Sequence, residues 1–197
     1  APRWAIAWKF KADVATTRLR SIQIQVGRTG ILTPIAELEP VNIGGVRVSR
    51  ASLHNEDEIR KKDIRIGDWV FVQRAGEVIP YIIGVDKSQR ILNTEPFQMP
   101  SACPICNTPT VRLPDEAFVR CINSNCPARI EEGLRHFASK QAMDIEGLGE
   151  KIIQKLFIHK ALRSIADIYR LTAEKLLSLD GFQQQLTENL LKAIEKS

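Results

Sequence analysis

Cys103, Cys106, Cys121 and Cys126 are the residues whose type and spacing most directly specify chemistry, and they are the only cysteines in the chain. They form two close pairs, C-x2-C-x14-C-x4-C, each with a proline beside a cysteine (Pro104, Pro127) to stiffen the turn that aims the sulfurs. Four thiolates brought together give the closed tetrahedral set of a structural zinc. Disulfides would need an oxidising compartment, whereas the sequence shows no secretory leader and no apolar run near the roughly 18 residues of a membrane span. Spacing alone does not separate zinc from iron, although the wider second pair fits a zinc finger better. A catalytic zinc is disfavoured because a fourth protein sulfur leaves no position for water. The expected metal site is structural, and it should supply the fold of a module too small to bury a core of its own.

The elements that position these cysteines differ on their two sides. With 197 residues the chain has room for two or three small domains, and 44% hydrophobic with 26% charged residues is ordinary for a globular protein. A net charge of +5 permits a nucleic-acid partner without demanding one. Its distribution says more: Arg3, Lys9, Lys11, Arg18, Arg20 and Arg28 stand against the single acid Asp13, a run basic enough to face phosphate and equally able to be a solvated face. The sequence opens without an initiator methionine and closes inside an amphipathic helix, so a fragment is expected.

From Arg18 to Asp86 the dominant period is two, as in half-buried strands. Ile22, Ile24 and Val26 alternate with Gln23 and Gln25, and Gly27-Arg28-Thr29-Gly30 makes a turn into a second strand over Ile31 to Leu38. A third strand covers Val46 to Ser49. A helix is predicted near Asn55 to Lys62, because Asn55 and Glu58 have capping-box spacing, acids fill the first turn and bases the last. Strands over Asp68 to Arg74 and Val78 to Val85 complete an order of three strands, a helix and two strands, that of the five-stranded OB-fold barrel. An SH3-like barrel would lack the helix. A polar connector follows to Pro100, and Val111 to Leu113 with Ala117 to Arg120 predict a short ribbon between the cysteine knuckles.

After Cys126 the period becomes 3.6. A helix is predicted over Ala128 to Ser139 with Ile130, Leu134 and Phe137 inward, followed by Gly147-Leu148-Gly149 and a new helix. This is a helix-hairpin-helix pattern: the glycines permit positive φ and let the amides of the next helix N-terminus approach a phosphate, with Lys151 nearby. Many helix pairs use glycine only to turn. A second copy runs from Leu176 to Ile194, with Asp180-Gly181-Phe182-Gln183 at its turn, and Gln183 in place of the second glycine predicts weaker phosphate binding or a packing role alone. Repeated hairpins give backbone contacts indifferent to sequence.

Six separated strings, Trp4 to Phe10, Gln25 to Gly30, Leu53-His54-Asn55, Arg65 to Asp68, Arg74 to Pro80 and Ala142 to Gly149, closely resemble bacterial NAD-dependent DNA ligases in the same order. The resemblance implies an enzyme that seals nicks in duplex DNA in replication and repair, with NAD and magnesium as cofactors of the whole protein. It also implies the absence of the adenylated nucleophile from this stretch, since no Lys-x-Asp-Gly string occurs. Lys9 matches a lysine that contacts the adenylate phosphate, which gives it a catalytic and cofactor-binding part. Arg28 and Thr29 match a turn on the DNA backbone, and Arg74, Val78 and Ile79 match the part that meets the minor groove beside the nick.

The implied organisation is the end of a nucleotidyltransferase domain (1–12), an all-β OB-fold barrel (13–96), a small four-cysteine zinc finger (97–128) and an all-α helix-hairpin-helix domain (129–197). Candidate DNA contacts are Arg28, Thr29, Arg74, Val78, Ile79, Gly147, Gly149 and Lys151. Expected partners are nicked double-stranded DNA and the nucleotidyltransferase domain, for a monomer in the bacterial cytoplasm. A non-enzymatic nucleic-acid adaptor built from the same modules is the alternative, separable by whether Lys-x-Asp-Gly lies upstream.

Overall fold

The computed structural model describes residues 2, 4, 12–74 and 79–197. Two compact units emerge, one of Ala1–Gln25, Leu32–Ser101 and Arg112–Val119, the other of Val26–Ile31, Ala102–Val111 and Arg120–Ser197. The predicted order of elements holds in the first: β1 (Asp13–Val26), β2 (Ile31–Ile43), β3 (Val46–Ser52), α1 (Glu56–Lys62), β4 (Trp69–Arg74) and β5 (Tyr81–Asp86). Period two holds as well, with Val70 and Val72 fully buried beneath half-exposed Trp69 and Phe71. Leu19, Ile43, Ile59 and Ile82 fill the same core.

The expected OB-fold barrel is corrected. The strands run β1-β4-β5-β3-β2-β7-β6 in one seven-stranded, OB-like sheet, with β1 also paired to β2, and the last two strands, β6 (Thr110–Arg112) and β7 (Val119–Cys121), come from the cysteine module. The sheet is therefore not a free-standing five-stranded barrel. Backbone satisfaction explains the extension. At the start of β2 the Gly30 carbonyl accepts the Cys121 amide at 2.8 Å, so β7 takes up hydrogen-bonding capacity that a strand edge leaves open.

Helix α1 forms for the reasons its sequence gives. Asn55 Oδ1 accepts the Glu58 amide at 2.9 Å, and Asp63 closes the other end in the left-handed region at φ 50°. Glu58 does not reach back as in a full capping box; its carboxylate pairs with Lys62 at 2.9 Å. Strand β5 starts later than expected, so Ile79 precedes it and is 72% exposed, and Val78 lies outside the described residues.

The connector after β5 carries the strongest polar network of this unit. Arg90 donates to both carboxylate oxygens of Asp68 at 2.9 Å and to Asp63 Oδ2 at 2.5 Å. Asp68 is fully buried and also accepts the Arg65 amide at 2.8 Å. A bidentate guanidinium is what a buried carboxylate requires, and it binds the connector to the α1–β4 loop.

In the second unit, α2 (Pro127–Ala138), α3 (Glu150–Ile158), α4 (Ile165–Ile168), α5 (Ala173–Leu177) and α6 (Gln184–Lys196) enclose Leu134, Ile153, Leu156, Ile168, Leu176 and Leu190. Pro127 begins α2 because a first-turn residue has no intrahelical use for an amide proton. Leu134 is buried as predicted, and Ile130 and Phe137 pack half-buried on the same core.

Arg90→Ala leaves Asp68 buried without its guanidinium, and a loss of about 3 kcal/mol is expected in urea unfolding. The Arg90 hydrogen bond foremost holds the Asp63 carboxyl down to about 2. A depressed carboxyl contributes stability above its unfolded value and loses it as pH falls, so wild type should weaken between about pH 4 and 2. The Arg90→Ala protein should show a shallower acid limb.

Candidate metal centre and nucleic-acid interface

The four sulfurs predicted to share a metal are brought together. Their Sγ atoms all lie within 4.8 Å of one another, and Cys103, Cys121 and Cys126 are buried while Cys106 is half-buried. Cys103 and Cys126 sulfurs are 3.9 Å apart and those of Cys106 and Cys121 3.5 Å. A tetrahedron of Zn–S bonds near 2.3 Å spaces its sulfurs about 3.8 Å apart, so the set fits.

Electrostatics around the sulfurs point the same way. Burial pushes the Cys121 thiol up to about 12 and raises that of Cys126, so neither would ionise alone near neutrality. Hydrogen bonding with the Thr108 side chain and backbone brings Cys106 down to about 6. Backbone amides of Thr108, Asn123, Ala128 and Arg129 all act on these sulfurs in the direction that favours thiolate. Donors aimed at buried sulfur are wasted on neutral thiols and suit a metal-bound anionic set, because a bound cation deprotonates its thiols.

The knuckle also holds the β1–β2 turn. Besides the Gly30–Cys121 bond, Gly30 sits at φ +83°, and a Cβ built there would lie 2.2 Å from the Cys121 carbonyl oxygen. Arg129 on α2 reaches the same carbonyl through Nη1 at 3.4 Å, while its Nε is buried without a partner. Arg28 and Thr29, at the apex, are exposed. Arg28 Nη1 approaches His136 Nδ1 of α2 at 3.4 Å.

The two hairpins share a backbone course. Gly147 and Gly181 have φ +84° and +77°, Leu148 and Phe182 are buried next to them, and Gly149 and Gln183 are the N-caps of α3 and α6. Gly149 has φ −80° and Gln183 −91°. Only the first glycine of the pattern therefore needs positive φ, and a Cβ at Gly149 would meet nothing within 4 Å. Lys155 of α3 donates to the Asp180 carbonyl and stands 5.9 Å from the centre of the Phe182 ring, joining the hairpins. A cavity of about 1240 Å³ opens beside the first hairpin, lined by Gly147, Gly149, Lys140, Asn189, Lys192 and Lys196 among others.

Residues 16–94 match the family model of the NAD-dependent DNA ligase OB-fold domain, and residues 102–128 that of the NAD-dependent DNA ligase C4 zinc finger domain. The whole chain also aligns with curated relatives. It is 56% identical over 197 residues to a DNA ligase of Desulfosudis oleivorans and 53% identical over 197 to one of Bacillus cereus, covering 100% of this chain and 29% of each relative. A DNA ligase of Natranaerobius thermophilus is 52% identical over 196 residues, with 30% of it covered. The chain belongs to the NAD-dependent DNA ligase family. It spans about three-tenths of the length of those ligases.

Placed on the structure, the ligase-like candidates fall into groups. In the first unit Arg74 ends β4 opposite Asp13, close to the Gly44–Gly45 turn. Ile79 is exposed there, and Lys9 and Val78 lie outside the described residues. In the second unit Arg28 and Thr29 share the turn apex, while Gly147, Gly149 and exposed Lys151 lie at the α3 N-terminus. Sequence reasoning missed Arg90, Arg129 and His136, none of which belongs to a local pattern. No helix among the described residues is long and apolar enough to cross a membrane.

Gly30→Ala should lower stability by about 2 kcal/mol and loosen the apex, since both φ and space are denied to a Cβ. Gly147→Ala should cost about 1 kcal/mol, whereas Gly149→Ala should be neutral in thermal unfolding.

Proposed function

We propose that this chain is the DNA-gripping portion of an NAD-dependent DNA ligase that seals nicks in duplex DNA, and that it holds the duplex around the nick through the phosphate backbone. The apex of the β1–β2 turn carries this assignment: Arg28 and Thr29 are exposed on a turn whose base is fixed to Cys121. A fixed base limits the conformational freedom that binding must remove, so charge and hydroxyl meet a phosphate already aimed.

Other residues take complementary parts. The α3 N-terminus behind Gly147 and Gly149 offers amides and a positive dipole end to a second phosphate, with Lys151 adding charge. Arg74 supplies a further cation, and Val78 and Ile79 are assigned to sugars in the minor groove, which a distorted nick widens. Ile79, already 72% exposed, is free for that contact.

Cys103, Cys106, Cys121 and Cys126 would hold one structural zinc, whose charge lets four sulfurs stay anionic while three are buried. NAD and magnesium belong to the whole enzyme, and of this chain's residues only Lys9 is given a part, as a cation beside the adenylate phosphate. The protein is assigned to the bacterial cytoplasm as a monomer.

Nicked duplex should bind with strong salt dependence and little sequence preference. Arg28→Ala with Arg74→Ala should weaken it and lower the logarithmic salt slope by about two. Sealing should appear only when this chain, a separately prepared nucleotidyltransferase domain and NAD are combined; sealing that proceeds as fast without this chain would overturn the proposal. Metal analysis should give one zinc per chain, and Cys121→Ser should abolish zinc binding and weaken DNA binding together.

A further inference from the structure

We propose that His136 is a second phosphate ligand beside Arg28, and that binding of the DNA backbone draws a proton onto its ring. This rests on the assignment of Arg28 to a phosphate. Guanidinium groups have no acceptor, so in the 3.4 Å approach of Arg28 Nη1 to His136 Nδ1 the ring nitrogen lies on the accepting side.

Both ends of the pair are held. Arg28 stands on the turn tied by Gly30 to Cys121, against which the Arg129 side chain packs, and His136 sits half-buried in the last turn of α2. A phosphate oxygen about 2.8 Å from the Arg28 guanidinium enters the reach of a ring nitrogen only 3.4 Å from it. That oxygen brings no proton. Facing it, the Nδ1 lone pair repels, while a protonated ring donates a second charge-assisted bond. Phosphate binding and protonation therefore favour each other.

Charged groups nearby leave the histidine to this task. Glu132, one turn earlier, is held by Arg135 at 2.6 Å, and Glu150 of α3 is held by the same guanidinium at 2.8 Å. From α4, Asp167 accepts from Ser164 and the Arg163 amide, and Lys140 follows one turn later on α2. Among the described residues no carboxylate pairs with Arg28 or His136. A cation on the ring would face Arg28 with no anion between them until DNA supplies one.

Affinity for a fluorescent nicked duplex, measured at constant ionic strength with zinc content checked at each pH, should rise up to about tenfold from pH 8 to pH 6. His136→Gln keeps the acceptor and cannot take a proton, so its affinity should be flat across that range. His136→Lys, always charged, should bind tightly at both ends. Calorimetry in buffers of different ionisation heat should show proton uptake for wild type and none for His136→Gln. A wild-type affinity independent of pH, or a His136→Gln protein with the wild-type pH slope, overturns the inference. If Arg28→Ala binds as tightly as wild type at pH 8, the underlying assignment of Arg28 fails instead.

Discussion

Four sulfurs gathered within 4.8 Å, three of them buried, are tolerable as anions only around a cation. The placing of the β1–β2 turn in the second unit follows from that constraint. The knuckle fixes the Cys121 backbone; its amide and carbonyl fix Gly30 and Arg129; Gly30 fixes the turn that bears Arg28 and Thr29. Side chains that touch none of the four sulfurs are thus placed by the strand end that carries one of them. The same strand end removes an open edge from the sheet, so one short segment serves both packing and presentation.

Legibility in the sequence followed the range of the interaction. Period-two burial in β4, the Asn55 cap of α1, the inward face of α2 and the spacing of the four cysteines are local, and each could be read before any coordinates. Interactions that close across long stretches could not. Arg90 sits in a connector without pattern, and its carboxylate partners lie in the loop that follows α1. His136 and Arg129 look like ordinary solvent positions on α2 until the β1–β2 turn is placed against them. The barrel expectation failed for the same reason, since nothing in β2 announces that strands of the cysteine module will join its sheet.

The hairpins separate a sequence pattern from its conformational explanation. Both glycines of Gly147-Leu148-Gly149 suggested a need for unusual backbone angles, yet only Gly147 adopts one. Gly149 has an ordinary extended conformation, as does Gln183 in the second copy. Gln183 therefore costs the second turn nothing in backbone geometry. What differs between the copies is the cover over the helix start: a bare Cα in the first, a side chain in the second. That difference bears on access to the amides and leaves their arrangement unchanged.

The Gly30–Cys121 contact also has a consequence in time. Its partners are separated by about 90 residues, and contacts of that span form late because the intervening chain must first be ordered. The turn can be made early from its own glycines, but it cannot be seated until the knuckle has closed. The apex that bears Arg28 and Thr29 is thereby set late, after the strands and helices on either side of it have formed from nearer partners.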